Sequence, residues 1–175
     1  MQRSRRIVLV TAALLVAAAV TVLGVAYSIG AFTDEGRFGT APGCGVVDAA
    51  TVAPVLANPQ IAADGDNCTA TDGQTQINVG FTVVTKRGNV GGPKLAERFI
   101  DAVGGSDTER LKGVGEQAIR QRTNAIGAPQ IITMRVSNLI VVLSVANLSG
   151  GDLPAGAEDG LVKVAMTLGT RLAKQ

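Results

Sequence analysis

Two cysteines, Cys44 and Cys68, are the side chains here whose types and spacing speak first to chemistry. They are not spaced as Cys-x-x-Cys, and the 175-residue chain contains no histidine to complete a metal site or serve as a general base. That weakens the redox and metal readings and favours a structural disulfide. Closing a loop of about 25 residues contributes roughly 3.5 kcal/mol by chain entropy when the geometry is unstrained.

The acidic residues offer less. Asp101 with Asp107, or Glu109 with Glu116, are the candidate pairs for carboxylate-based hydrolysis, which needs two carboxyl groups facing across a cleft. All four lie in stretches that read as solvated surface. Asp64, Asp66 and Asp72 suggest part of a calcium loop, but the bidentate glutamate is missing, and a polar turn is the better account. Gly113-Val114-Gly115 resembles the opening of a nucleotide fingerprint, yet position 118 is Ala and a strand pattern follows, so a glycine turn is expected. Asn67-Cys68-Thr69 and Asn147-Leu148-Ser149 match a glycosylation acceptor, but both fall in or at the end of expected strands. Serine and cysteine nucleophiles lack a base. No catalytic set, cofactor site or metal site emerges.

What must position these residues begins with an uncharged run at residues 7–32, preceded by Arg3, Arg5 and Arg6. A bilayer core about 30 Å thick is spanned by about 20 apolar helical residues. The run exceeds that and also exceeds the roughly 7–15 apolar residues of a cleavable signal. Residues 1–32 therefore read as a basic cytoplasmic tip and a transmembrane anchor, with secretion after signal cleavage as the alternative. The three arginines precede the run, and Asp34 and Glu35 follow it, so Arg3, Arg5 and Arg6 set the topology. The N-terminus is expected in the cytoplasm and the C-terminal domain outside, in an oxidising compartment that suits the cysteine pair.

Residues 33–43 read as a glycine-rich linker without periodicity, and 44–175 as one domain. Removing the three N-terminal arginines leaves 13 basic against 14 acidic residues, a balance that argues against a nucleic-acid partner. Aromatics are 3% of the chain, so the core must come from Val, Ile, Leu and Ala.

Helices are expected over 46–56, with Asp48 as N-cap and Pro54 ending it early, over 93–103, and over 157–173. Residues 62–67 read as a polar turn and 106–112 as a charged stretch forming one further turn. Strands are expected over 68–71, 75–85, 119–123, 130–136 and 139–148. In the second of these, Ile77, Val79, Phe81 and Val83 alternate with polar or small residues. The last is apolar at nearly every position, which predicts a central strand covered on both faces. Short connections favour antiparallel pairing. The expected fold is α+β: an N-terminal transmembrane helix, then one domain with a mainly antiparallel five-stranded sheet covered by helices.

Four features resemble small actinobacterial envelope proteins of the DUF3558 type and related sensor-like domains. Cys44-Gly45-Val46-Val47-Asp48 is similar to that family's opening cysteine and capped helix, and Cys68 to its partner at the start of the first strand. Gly113-Val114-Gly115-Glu116-Gln117-Ala118 is similar to its glycine turn, and a strand pair with a terminal alanine-rich helix follows. The sequence departs from the family at Ala70, where a tryptophan is frequent, and in having an anchor-like helix in place of a lipoprotein signal. The resemblance implies an extracytoplasmic α/β sandwich without an assigned activity.

The function expected from all this is a membrane-anchored, non-enzymatic envelope protein. It would bind a partner protein or a small apolar, lipid-like ligand. A carboxylate-based cell-envelope hydrolase is the alternative.

Overall fold

In the computed structural model the described residues are 33–121 and 127–175. A 3-10 turn at Gly43–Val46 leads into α1 (Ala49–Val52). Then come β1 (Gln60–Asp64), β2 (Asn67–Thr71), β3 (Thr75–Val83), α2 (Gly92–Val103), β4 (Thr108–Leu111), β5 (Gln117–Gln121), β6 (Gln130–Val136), β7 (Leu139–Asn147) and α3 (Ala157–Leu172). The strands form one seven-stranded sheet, ordered β1-β2-β3-β7-β6-β5-β4, with every neighbouring pair antiparallel.

This corrects the five-stranded expectation. The two added strands are the edges, β1 and β4. Every residue of β1 is exposed, so it carries no apolar alternation for sequence reasoning to detect. β4 has only four residues, three of them charged or polar, and belongs to the stretch expected to be a charged turn. Edge strands of this kind are held by backbone pairing and leave a weak side-chain signal. The transmembrane segment expected over 7–32, and Arg3, Arg5 and Arg6 with it, lie outside the described residues. Among the described residues no helix is long and apolar enough to cross a membrane.

Alternation places the inner face as expected. In β3, Thr75, Ile77, Val79 and Phe81 are buried, and the residues between them are not. Their inner neighbours are Cys68 and Ala70 of β2, Val141, Leu143 and Val145 of β7, and Ile132 and Met134 of β6. α3 seals this face with Leu161, Val164, Ala165, Leu168 and Leu172, each 1% exposed or less. α1 is shorter than the expected 46–56 helix. Asp48 does cap it, accepting from the Thr51 backbone N–H at 2.8 Å. Ala53 is its C-cap, and Pro54 comes next, so the helix ends before the proline.

The outer face is covered only in part. α2 lays Ala96 and Ile100 over Ile119 of β5 and Ile140 of β7. Beyond Ile140 the expected two-sided burial of β7 fails: Val142 is 39% exposed, and Ser144 and Ala146 are half-buried. No described helix crosses β1, β2 or β3 on this side.

Candidate functional site

The stretch before Cys44 is drawn into the fold. Phe38 is buried and belongs to the main core, and the residues before it form a strap across the two-residue β6–β7 turn, Ser137-Asn138. Gly92 N–H donates to Asp34 O at 3.0 Å. Arg37 N–H donates to Ser137 Oγ at 3.1 Å. The side chain of Asn138, 1% exposed, grips Phe38 by both backbone groups. Its Oδ1 accepts from Phe38 N–H at 3.0 Å, and its Nδ2 donates to Phe38 O at 2.8 Å and to Val84 O at 3.2 Å. Gly36 is required there: its φ is +91°, and a Cβ would stand 2.2 Å from Asn138 Cγ.

Glu116 knots the same region. Oε1 accepts from Ser137 N–H at 3.0 Å and from Arg37 Nη2 at 3.3 Å, and Oε2 accepts from Arg135 Nη1 at 2.6 Å. Ser137 holds a left-handed φ of +54°, a conformation that costs a non-glycine residue about 1–2 kcal/mol. Bonds to its N–H and hydroxyl offset that cost.

This is the role the structure gives to Gly113-Val114-Gly115-Glu116. The segment is the β4–β5 turn, with Val114 buried and Glu116 as the polar knot. Gly115 has φ +55°, and a Cβ on it would lie 2.6 Å from Arg135 O; one on Gly169 of α3 would lie 2.7 Å from Gly115 N. The glycines serve close packing of turn, sheet and helix. The expectation of a glycine turn before a strand matches this local geometry. Sequence reasoning missed Glu116 as a knot, because Arg37 lies 79 residues away in the chain and no spacing pattern links them.

The other sequence candidates are placed separately. Cys44 and Cys68 form a disulfide that pins the 3-10 turn to β2 over the inner face. Asp101 accepts from Arg110 Nη2 at 2.9 Å and Gln117 Nε2 at 2.8 Å. The Arg110 hydrogen bond, ahead of the Gln117 one, holds its carboxyl below the usual carboxylate range. Glu109 is bound by Arg120 at 2.7 Å. Asp107 sits in the loop before β4 and accepts from Ser106. These carboxylates are engaged by neighbours of their own, and none of those contacts joins two of them across a cleft.

Asp64 and Asp66 flank the β1–β2 turn, while Asp72 lies in the β2–β3 turn at the other end of β2. Asp72 Oδ1 accepts from the Thr75 N–H at 2.8 Å and the Gln74 N–H at 3.1 Å. Those backbone bonds, Thr75 first, hold its carboxyl below the usual range. Among the described residues no group of three candidate ligands could hold a metal ion.

Among the described residues, two features stand out as able to engage another molecule. One is the cleft of about 460 Å³ between the strap and the first turn of α2, lined by Thr33, Asp34, Asn89, Lys94, Glu97 and Arg135 among others. Its charges are mixed, and Lys94 and Glu97 pair with each other at 2.7 Å. The second is the uncovered half of the outer sheet face. Register aligns Thr69 with Asn78 and Ser144, and Thr71 with Gln76 and Ala146. Val142 stands beside them at the centre of the sheet. α2 borders the area with Phe99, 46% exposed, and Val103, 38% exposed. By helical spacing these two lie on the flank opposite Asp101, which grips β4 and β5, and so on the side towards β7.

No family model, curated protein or solved structure matches the chain.

Proposed function

We propose that the chain is a non-enzymatic module of the cell envelope, held at the outer side of a membrane by its uncharged N-terminal segment, and that it binds a partner protein. The DUF3558-type resemblance belongs to the same proposal. The disulfide suits an oxidising compartment outside the cytoplasm. The observation that carries the binding reading is the open half-face, with Val142 exposed in the central strand of the sheet. An antiparallel sheet commonly leaves one face to solvent, but a mixed apolar and polar patch beside an exposed aromatic is the composition of a protein interface. The apolar-ligand version has less support: the core side chains of α2 and α3 facing the sheet are packed to near-zero exposure.

Site-specific photocrosslinking in native membranes tests this. A photoreactive residue at position 142 or 78 is expected to give one discrete adduct, and one at position 163, on the exposed side of α3, none. Equal labelling from all three positions, or none from any, would reject the open face as the binding surface.

A further inference from the structure

We infer that the strap end of the domain is a membrane-apposed surface, complementary to the anionic headgroups of the outer leaflet. The inference rests on the proposed membrane anchoring and adds an orientation to it.

The strands define an axis. At one end lie the β6–β7 turn, the 112–116 turn between β4 and β5, the 84–91 loop, the start of α2 and the end of α3. Hydrogen bonds from the strap reach the β6–β7 turn, the first residue of α2, and Ala173 O at the end of α3, the last accepting from Arg37 Nη1 at 2.9 Å. The first described residues, Thr33 and Asp34, therefore lie at this end, where Asp34 O accepts from Gly92 N–H and Thr33 lines the same cleft as Asn89. A domain anchored through residues 7–32 would be joined to the bilayer at this end.

The charges divide along the same axis. At the strap end stand Arg37, Lys86, Arg87, Lys94, Lys112 and Lys174. The acids among them are occupied: Glu35 by Lys86, Glu97 by Lys94, and Glu116 by Arg37 and Arg135, while Asp34 Oδ1 accepts from Gly36 N–H. Arg87, Lys112 and Lys174 are exposed and enter no ion pair among the described residues. The opposite end carries Asp72, Asp107, Asp152, Glu158 and Asp159. Asp64 and Asp66 lie in the β1–β2 turn, at the lateral corner of the strap-end side, where Asn67 pairs with Gly80 and Phe81 N–H donates to Asp66 O. A domain with balanced total charge is thus polarised: the free cationic groups gather around the strap, between the 84–91 loop, the 112–116 turn and the end of α3, and the acids gather at the far end and at the β1–β2 corner. Basic groups within a Debye length of an anionic leaflet are drawn to it, and acidic ones are repelled.

The test uses the full chain in vesicles of phosphatidylcholine, with or without phosphatidylglycerol. A fluorescent amino acid is placed at position 89 or at position 74, in the far β2–β3 turn, and quenching by headgroup-attached spin labels is read. Position 89 is expected to be quenched severalfold more than position 74. Adding phosphatidylglycerol should increase that quenching, and high salt should reverse the increase. The triple variant Arg87→Glu, Lys112→Glu, Lys174→Glu should lose the phosphatidylglycerol response, by about fivefold in affinity per charge. Lys163→Glu should keep it. Circular dichroism melts of both variants establish that they fold. Equal quenching at 74 and 89, or a response indifferent to phosphatidylglycerol and to the triple variant, would overturn the orientation alone. If the full chain fails to float with the vesicles, the anchoring proposal falls, and this inference with it.

Discussion

At the scale of single residues, Asn138 and Asp48 do most to join distant parts of the chain. Asn138 satisfies three backbone groups from two segments through one buried amide. Asn138→Ala would leave buried N–H and C=O groups unpaired, each worth about 1–3 kcal/mol. We expect a loss of about 3 kcal/mol in chemical denaturation, with faster proteolysis at residues 33–40; a loss below about 1 kcal/mol would mean that the strap is not held through this side chain. Asp48 caps α1 and binds Arg171 of α3 at 2.9 Å. The Thr51 hydroxyl first, and then Arg171, hold its pKa down to about 2 from 3.8. A folded-state pKa below the unfolded value means stability that is present above pH 3.8 and lost as pH falls towards 2. Thermal melts should therefore decline between those values, and Asp48→Asn should flatten that part of the decline. An unchanged profile in the variant would assign the acid sensitivity to other carboxylates.

At the scale of elements, the disulfide ties a short irregular segment to the sheet. The 3-10 turn and α1 total eight residues, too few to be stable helices alone. Their position depends on Val46, Val47 and Val52 in the core and on the link from Cys44 to Cys68. The double variant Cys44→Ala, Cys68→Ala is expected to lose roughly 3.5 kcal/mol, the loop-closure value for about 25 residues. Alkylation without reductant, read by mass spectrometry, should find neither thiol free in the native protein. Finding both free would remove the clip. The elements also explain what was legible. β3, α2 and α3 each bury one face and expose the other, so their periodicities are written in the sequence. β1 buries neither face, and β4 is too short to repeat a pattern. Both exist because a neighbouring strand offers its backbone, a property of the partner and not of their own side chains.

At the scale of the whole molecule, the sheet has one sealed face and one half-open face. α3, with sixteen residues, runs back along the inner face from the far end of β7 to the strap end. α2, with twelve, covers only the β5–β7 part of the outer face. The sheet is therefore wider than the helix available to cover it. Seven strands about 4.8 Å apart make a sheet some 29 Å across, against about 10 Å for one helix. The open half-face and the polarised ends follow from this arrangement.

The sequence by itself determined the helix and strand periodicities, the antiparallel character of the sheet, the Asp48 cap, the pairing of its two cysteines, and the absence of any histidine-based chemistry. These are local properties: spacing along the chain, residue type and short-range geometry. Only the tertiary structure decided the sheet's seven strands, the strap, the Glu116 and Asn138 knots, and which half of the outer face stays uncovered. Each of those depends on groups tens of residues apart meeting in space. Asn138 reaches Phe38 across 100 positions, a contact with no period in the sequence and set by where β6 and β7 turn.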